Sequence, residues 1–595
     1  MMKTCDPKDI ALKSFFLGPQ SENAGWVAGK ISEIFEHWYG WRKSLYPDDG
    51  LAISLADQEA QEFQKCNESL SHHLKDLISL YEKEVPKFSP RFIGHMVSEV
   101  SIPALLGHIL NLLHNPNNIS SEVSKVGDVL EKEAISALLD MVGYHPKLGQ
   151  GHFTSGGTVA NIEALWRARY TVDHWLALGS YCRTQGTCNK PLFELAHQGW
   201  GSYDKIRKEL AVGDFELRKL SFVAQSPWSA MKSYEKIFDH GFEGPVVLAP
   251  KSKHYSWPKA VSLLGLGEDS FWPIELDHRG RLSVTDLESK IEKARKQQRP
   301  IAMVVSVAGT TEMGEIDPVD EVNKLLESYR KEGIHIWHHV DAAYGGFFRT
   351  MLGDSKEEQH LEDYCLNALK AIPRADSITI DPHKLGYIPY SCGAILFPDK
   401  KRYQVSSFEA PYVDVGNNTW LKTLEGSRSA SGAAATWLTA KSIGLDSKGY
   451  GRILTKTIEA RKQLQSDLNN GIEGIQILPH CDTNIICFCV AQNKEPLSRT
   501  NERTLAVLRK INSDGQFMVS KTYLKFNNYN ELLFPYVKSW KAEVDEEGTY
   551  LLRVVLMNPF FTSKETIDFS QEFMKTLRGI LTDPCLGPLS MNESF

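Results

Sequence analysis

The sequence predicts an α/β protein built around a mainly parallel sheet, and three observations carry that prediction. Between about residues 150 and 425, short apolar runs alternate with amphipathic stretches. The runs are apolar throughout rather than at every second position, as in strands covered on both faces. Two residues with chemistry to offer, Asp341 and Lys384, stand where such runs stop, and functional groups of parallel sheets gather at strand ends.

The elements follow in order. Residues 55–85 are polar with apolar positions at helical spacing (Leu70, Leu74, Leu77, Leu80, Tyr81), which predicts an amphipathic helix. A second, more apolar helix is expected over 103–113, closed by the turn cluster Asn115-Pro116-Asn117-Asn118. Strands are expected over 245–250, 301–307, 334–340, 377–380 and 393–397, with helices over 286–296 and 319–331 between them. Thr562-Ser563-Lys564-Glu565 has a capping-box pattern for a last helix that continues through Ile567, Phe573, Leu577 and Ile580. A chain of 595 residues exceeds one ordinary core. The expected division is an N-terminal helical segment (1–145), a large α/β domain (146–428), a small C-terminal α+β domain (429–581) and a flexible tail (582–595).

Composition narrows the function. The chain is 42% hydrophobic and 24% charged, as globular proteins are, and its formal charge of −7 argues against nucleic acid or an anionic membrane as partner. No apolar run approaches the roughly 18 residues of a membrane span. The first residues carry acids where a signal peptide would be apolar, so a cytoplasmic location is expected. Ten cysteines show no repeated metal spacing. Cys487 and Cys489 flank Phe488 in an apolar run and read as buried strand residues, and Cys182 and Cys188 lack a second pair, so no metal is expected.

A lysine beyond an apolar strand can lose its proton and bond an aldehyde, and a carboxylate beyond a neighbouring strand can keep a pyridine nitrogen charged. Lys384 and Asp341 together therefore point to pyridoxal 5'-phosphate. Its phosphate needs backbone N–H groups at a helix start. The run Phe153-Thr154-Ser155-Gly156-Gly157-Thr158 has that shape, with Thr158 as a candidate cap, although Ser-Gly-Gly-Thr is also an ordinary turn. His254 can stack on a flat ring or be a plain loop histidine. Gly309-Thr310-Thr311 offers hydroxyls at the same edge or is a simple turn. His335, Trp337 and His339 alternate without a carboxylate at ligand spacing, which leaves His339 as a packing group beside Asp341.

Five motifs in order resemble the group II pyridoxal-phosphate-dependent amino-acid decarboxylases, and most of all the bacterial tyrosine decarboxylases. They start at Ser89, Thr154, Lys253, His339 and Ile380, and the likeness spans roughly residues 88–581. The resemblance implies fold type I of the pyridoxal-phosphate enzymes, the aspartate-aminotransferase-like fold, and a homodimer with a shared active site. It implies that Lys384 carries the cofactor, that His383, Gly157 and Thr158 hold its phosphate, and that His254 and Ala343 face its ring. Asp341 would pair with the ring nitrogen, and Thr310 or Thr311 would touch the ring. Arg553 matches an arginine for the substrate α-carboxylate, and His95 and Ser98 lie where substrate pockets form. A tyrosine on the loop after the lysine, Tyr412, is the expected proton donor, with Tyr390 as competitor. An aromatic amino acid is the expected substrate. The alternatives are glutamate or aspartate, a sphingosine-phosphate-lyase-like carbon–carbon lyase, and an inactive binding relative.

Overall fold

Seven strands form the central sheet in the computed structural model, which describes residues 7–406, 423–563 and 565–582. They are β1 (Gln150–Thr154), β2 (Val246–Pro250), β3 (Phe271–Ile274), β4 (Ile301–Val307), β5 (His338–Asp341), β6 (Ser377–Ile380) and β7 (Gly393–Phe397). Their spatial order is β1-β7-β6-β5-β4-β2-β3, parallel throughout except that β7 runs against both neighbours. Period-two alternation explains why the runs are apolar at every position. In β2, Val247 and Ala249 join one core with Ala160, Leu165 and Trp257, while Val246 and Leu248 join another with Leu287, Val322 and Leu326. Burying each of the valine and leucine side chains among them stabilises the fold by roughly 1.5–3 kcal/mol.

A second, wholly antiparallel sheet follows: β8 (Ile475–Ile477), β9 (Ile485–Val490), β10 (Ser520–Lys525) and β11 (Gly548–Val555), ordered β10-β11-β9-β8. The early chain is stitched to it. The Ile93 amide donates to the Met518 carbonyl at 2.9 Å, and the Val555 amide donates to the Ile93 carbonyl at 2.8 Å. Residues 94–98 are thereby carried from the small sheet toward the large one. The helix Ile102–His114 packs so closely on the helix Ser431–Ser442 that a Cβ on Gly107 would lie 2.9 Å from the Ala434 carbonyl oxygen.

Three expectations are corrected. The strand expected over 334–340 starts only at His338, because Ile334–Trp337 lies outside the ladder although Ile334, Ile336 and Trp337 are buried. The last helix is Phe569–Leu581, capped by Asp568, whose side chain accepts from the Gln571 amide; the Thr562–Glu565 pattern lies before it, and Ile567 is exposed. The amphipathic stretch at 55–85 forms the helices Leu55–Glu59 and Gln61–Tyr81, but neither buries a residue within the chain. Residues 583–595 of the tail lie outside the described residues.

One buried ion pair ties the segment after residue 422 to the first strand. Arg428 Nη1 lies 2.6 Å from Glu131 Oε1 and also donates to the Phe153 carbonyl, while the Phe153 amide donates to Glu131. Burial pushes the Glu131 carboxyl up, but Arg428 and the Phe153 amide outweigh it and hold it below its usual 4.5. This stabilisation is complete above the unfolded pKa and is lost as pH falls through the lower folded one. Arg428→Ala is expected to destabilise by about 3–5 kcal/mol at pH 7 by leaving Glu131 buried and unpaired. Thermal melts should show the deficit shrinking as pH falls below 4.5. A deficit that is constant with pH would contradict this reading.

Candidate active site

Because β2, β4, β5 and β6 run parallel, their C-terminal ends share one edge, and a cavity of about 290 Å³ opens there. Lys384 and Asp341 both line it, together with Gly156, Gly157, Thr158, His254, Thr311, Ala343 and His383. The two groups read from the sequence as gripping one cofactor thus face the same space.

Asp341 is oriented by its neighbours. Its Oδ2 accepts from Asn161 Nδ2 at 2.8 Å and from Trp257 Nε1 at 3.1 Å, while Oδ1 receives only the Ala343 amide at 3.4 Å. Asn161 Nδ2 also reaches Ser256 Oγ, which meets His254 Nδ1 at 2.9 Å, so His254 and Asp341 belong to one network. Thr379 Oγ1 donates to Asn161 Oδ1, and His339, buried beside Ser377 and Thr379, packs edge-on against Trp257. His339 is therefore a support for the groups that hold Asp341. Burial lowers the His254 pKa, with Asp341 acting against the shift and Lys384 with it.

Lys384 Nζ lies 3.0 Å from Asp381 Oδ2. Burial pulls the lysine pKa down, but Asp381 outweighs it and the ammonium is held above the usual range. His383 accepts the Cys392 amide on Nδ1, turns Nε2 to 3.5 Å from Asp381 and stacks on Tyr390 at 4.2 Å.

The helix Gly157–Thr184 starts at the cavity with no side-chain cap. Its terminus therefore presents free N–H groups and the positive end of the helix dipole. Thr158, expected as the cap, lies inside the first turn and lines the cavity instead; the cap position is Gly156. A Cβ on Gly157 would meet Asp381 Oδ2 at 2.8 Å and the Ala343 Cβ at 3.3 Å, so glycine keeps this cradle open. An uncapped helix start, a lysine and an oriented carboxylate around one cavity fit pyridoxal phosphate.

The remaining candidates divide. Thr311 lines the cavity, but Thr310 does not: its Oγ1 donates to Glu315 and accepts the Gly314 and Glu315 amides. Arg553 is buried but does not line the cavity; it donates to the carbonyls of Glu312 and Gly94 and to Ser520 Oγ. Met96 lines the cavity, whereas its neighbours His95 and Ser98 do not, and Ser98 Oγ is buried without a partner among the described residues. Tyr390 is 59% exposed, and burial of its hydroxyl raises its pKa. Tyr412 lies outside the described residues. Asn161, Trp257 and Asp381 were not singled out from the sequence. Asn161 was findable, since it stands one helical turn beyond Gly157 and so on the same face.

Comparison with known proteins agrees with this geometry. Residues 228–491 match the pyridoxal-dependent decarboxylase conserved domain. The chain is 28% identical over 618 residues to an L-tyrosine decarboxylase of Levilactobacillus brevis, covering 94% of this chain and 95% of the relative. It is also 28% identical over 606 residues to an aspartate 1-decarboxylase of Aliivibrio fischeri, covering 95% and 94%. A crystal structure of Oryza sativa TDC with PLP and tryptamine superposes with a TM-score of 0.62 at 16% identity, covering 94% of this chain and 99% of that one, which shows the shared fold.

Proposed function

We propose that the chain, whose residues 228–491 match the pyridoxal-dependent decarboxylase conserved domain, removes carbon dioxide from an aromatic L-amino acid, tyrosine foremost. The observation that carries the chemistry is the single cavity shared by Lys384, Asp341 and the uncapped helix start at Gly157. Pyridoxal phosphate supplies an aldehyde for an amine and a charged ring that takes up the electron pair released as carbon dioxide leaves.

This chain's residues do the rest. Gly157, Thr158 and His383 would hold the phosphate with amides and an imidazole. Asp341, fixed through Oδ2 by Asn161 and Trp257, would keep the cofactor's ring nitrogen protonated. His254 and Ala343 would confine the ring, and Thr311 lines the same cavity. Lys384 is the tether. Arg553 attracts the substrate carboxylate from behind the cavity wall, and Met96, with His95 and Ser98 beside it, shapes the entrance. Tyr412, or Tyr390 beside His383, returns the proton to carbon.

Support for tyrosine is the similarity to tyrosine decarboxylases along nearly the whole chain; the Aliivibrio fischeri relative favours aspartate as the second reading. Carbon-dioxide release measured across the standard L-amino acids is expected to be fastest with tyrosine and matched by the amine. Faster turnover of aspartate would install the second reading, and release from none would remove both.

The reading includes a cytoplasmic homodimer. Among the described residues no helix is long and apolar enough to cross a membrane. The helix Gln61–Tyr81 buries nothing within the chain and exposes Leu70, Leu74, Leu77 and Tyr81, a stripe suited to a second copy. Sedimentation at the monomer mass would contradict the dimer.

A further inference from the structure

Asp381 stands between the lysine and the phosphate cradle, and no step above uses it. It follows β6 directly and is 2% exposed. One oxygen, Oδ2, faces Lys384 Nζ at 3.0 Å and His383 Nε2 at 3.5 Å. The same oxygen lies 2.8 Å from where a Cβ on Gly157 would be, at the first residue of the helix that receives the phosphate. Among the described residues the other oxygen, Oδ1, is buried with no hydrogen-bond partner, and a Cβ on Gly393 would crowd it at 2.9 Å.

Two difficulties follow from that placement. An ammonium has no lone pair, so Lys384 must shed a proton before it can bond an aldehyde. A carboxylate and a phosphate dianion crowded at one helix terminus repel each other. Moving one proton resolves both. We propose that Asp381 is the base that takes the Lys384 proton during cofactor capture, and that it keeps this proton while the phosphate is held. An N–H bond breaks, its electron pair stays on Nζ and becomes available to the aldehyde carbon, and an O–H bond forms on Asp381. The carboxyl is then neutral beside the phosphate.

The surroundings favour this transfer. His383, Lys384, Tyr390 and Cys392 face Asp381 from its own segment and His254 faces it from after β2, while Asp341, the last residue of β5, acts on Lys384 and His254. The helix start adds only amides and the hydroxyls of Ser155 and Thr158, and Glu425 is occupied by the Ser155 amide. Burial pushes the Asp381 carboxyl up, and Lys384, then His383, hold it below the usual range. Neutralising the lysine removes the first of those counterweights.

The inference rests on the pyridoxal-phosphate reading, and its test separates the two. In a Lys384→Ala background, pyridoxine 5'-phosphate, which has no aldehyde, is titrated by intrinsic fluorescence at several pH values from about 6.5 to 8.5. The expected affinity falls by up to about tenfold per pH unit, one proton being taken up with each phosphate. Adding Asp381→Asn, a neutral isostere, should flatten the profile and leave binding at high pH at least as tight. In the otherwise unaltered chain, Asp381→Asn should slow the absorbance change on mixing with pyridoxal phosphate at least tenfold. Asp381→Ser serves as the second neutral variant, with circular dichroism as the check on folding. A pH-independent affinity in the Lys384→Ala protein would overturn the proposal. So would weaker binding at every pH in both folded neutral variants. If the folded Lys384→Ala protein binds no pyridoxine phosphate at any pH, the cofactor reading itself falls.

Discussion

Lys384→Ala is expected to lower carbon-dioxide release by about 10³-fold or more, the scale on which enzymes lose rate when a group that touches the reacting atoms is removed. The physical reason is specific to the site. Lys384 is the one lysine among the described residues lining the cavity, and its Nζ is held by Asp381 at 3.0 Å. The residues around the phosphate cradle do not depend on it, because the helix start at Gly157 and the Cys392–His383 hydrogen bond are both formed without the lysine. The variant is therefore expected to fold and to bind pyridoxal phosphate without bonding it. Initial rates with the preferred amino acid and a binding titration on the same sample check this. A folded variant that retains more than a tenth of the rate would remove Lys384 from the chemistry.

Asp341→Asn is expected to cost about 10²–10³ in kcat, comparable to removing one preorganised electrostatic group from an active site. The amide has nearly the same shape but no charge to hold a proton on the ring nitrogen. Comparison with Asp341→Ala separates electrostatics from architecture. Alanine also strands the N–H groups of Asn161 and Trp257, both buried, at about 1–3 kcal/mol each. The alanine variant should thus melt lower than the asparagine variant while both are nearly inactive. Equal activity of wild type and Asp341→Asn would show that the carboxylate is not the ring's partner.

The large sheet was the most legible part of the chain. The strands Ile301–Val307, Ser377–Ile380 and Gly393–Phe397 coincide with their apolar runs because both faces of each are covered, so burial writes every position. Legibility failed where an apolar run is buried outside a ladder, as at Ile334–Trp337, and where a good cap motif precedes the helix without starting it, as at Thr562. Lys384 and Asp341 could be placed together because parallel strands deliver their C-terminal ends to one edge, whereas His254, Gly157 and Thr158, each also readable as a plain loop or turn, joined them through the family resemblance. Thr310 and Thr311 are adjacent, and composition cannot say which points inward; the Glu315 carboxylate claims Thr310. Arg553 could not be judged without knowing that the carbonyls of Gly94 and Glu312, 459 and 241 residues away in sequence, fold onto it. Asp381 went unread for the opposite reason: its neighbour Lys384 is the conspicuous group, and a carboxylate beside a phosphate site looks out of place until its ion pair is visible.

The central claim is that a single vitamin-derived cofactor is tethered at one end by Lys384 and charged at the other by Asp341. Borohydride reduction of the protein loaded with pyridoxal phosphate, followed by peptide mapping, tests it most directly. The cofactor mass is expected on the peptide containing Lys384, with loss of the visible absorbance band; a label on a different lysine, or none on a folded protein, would contradict the account.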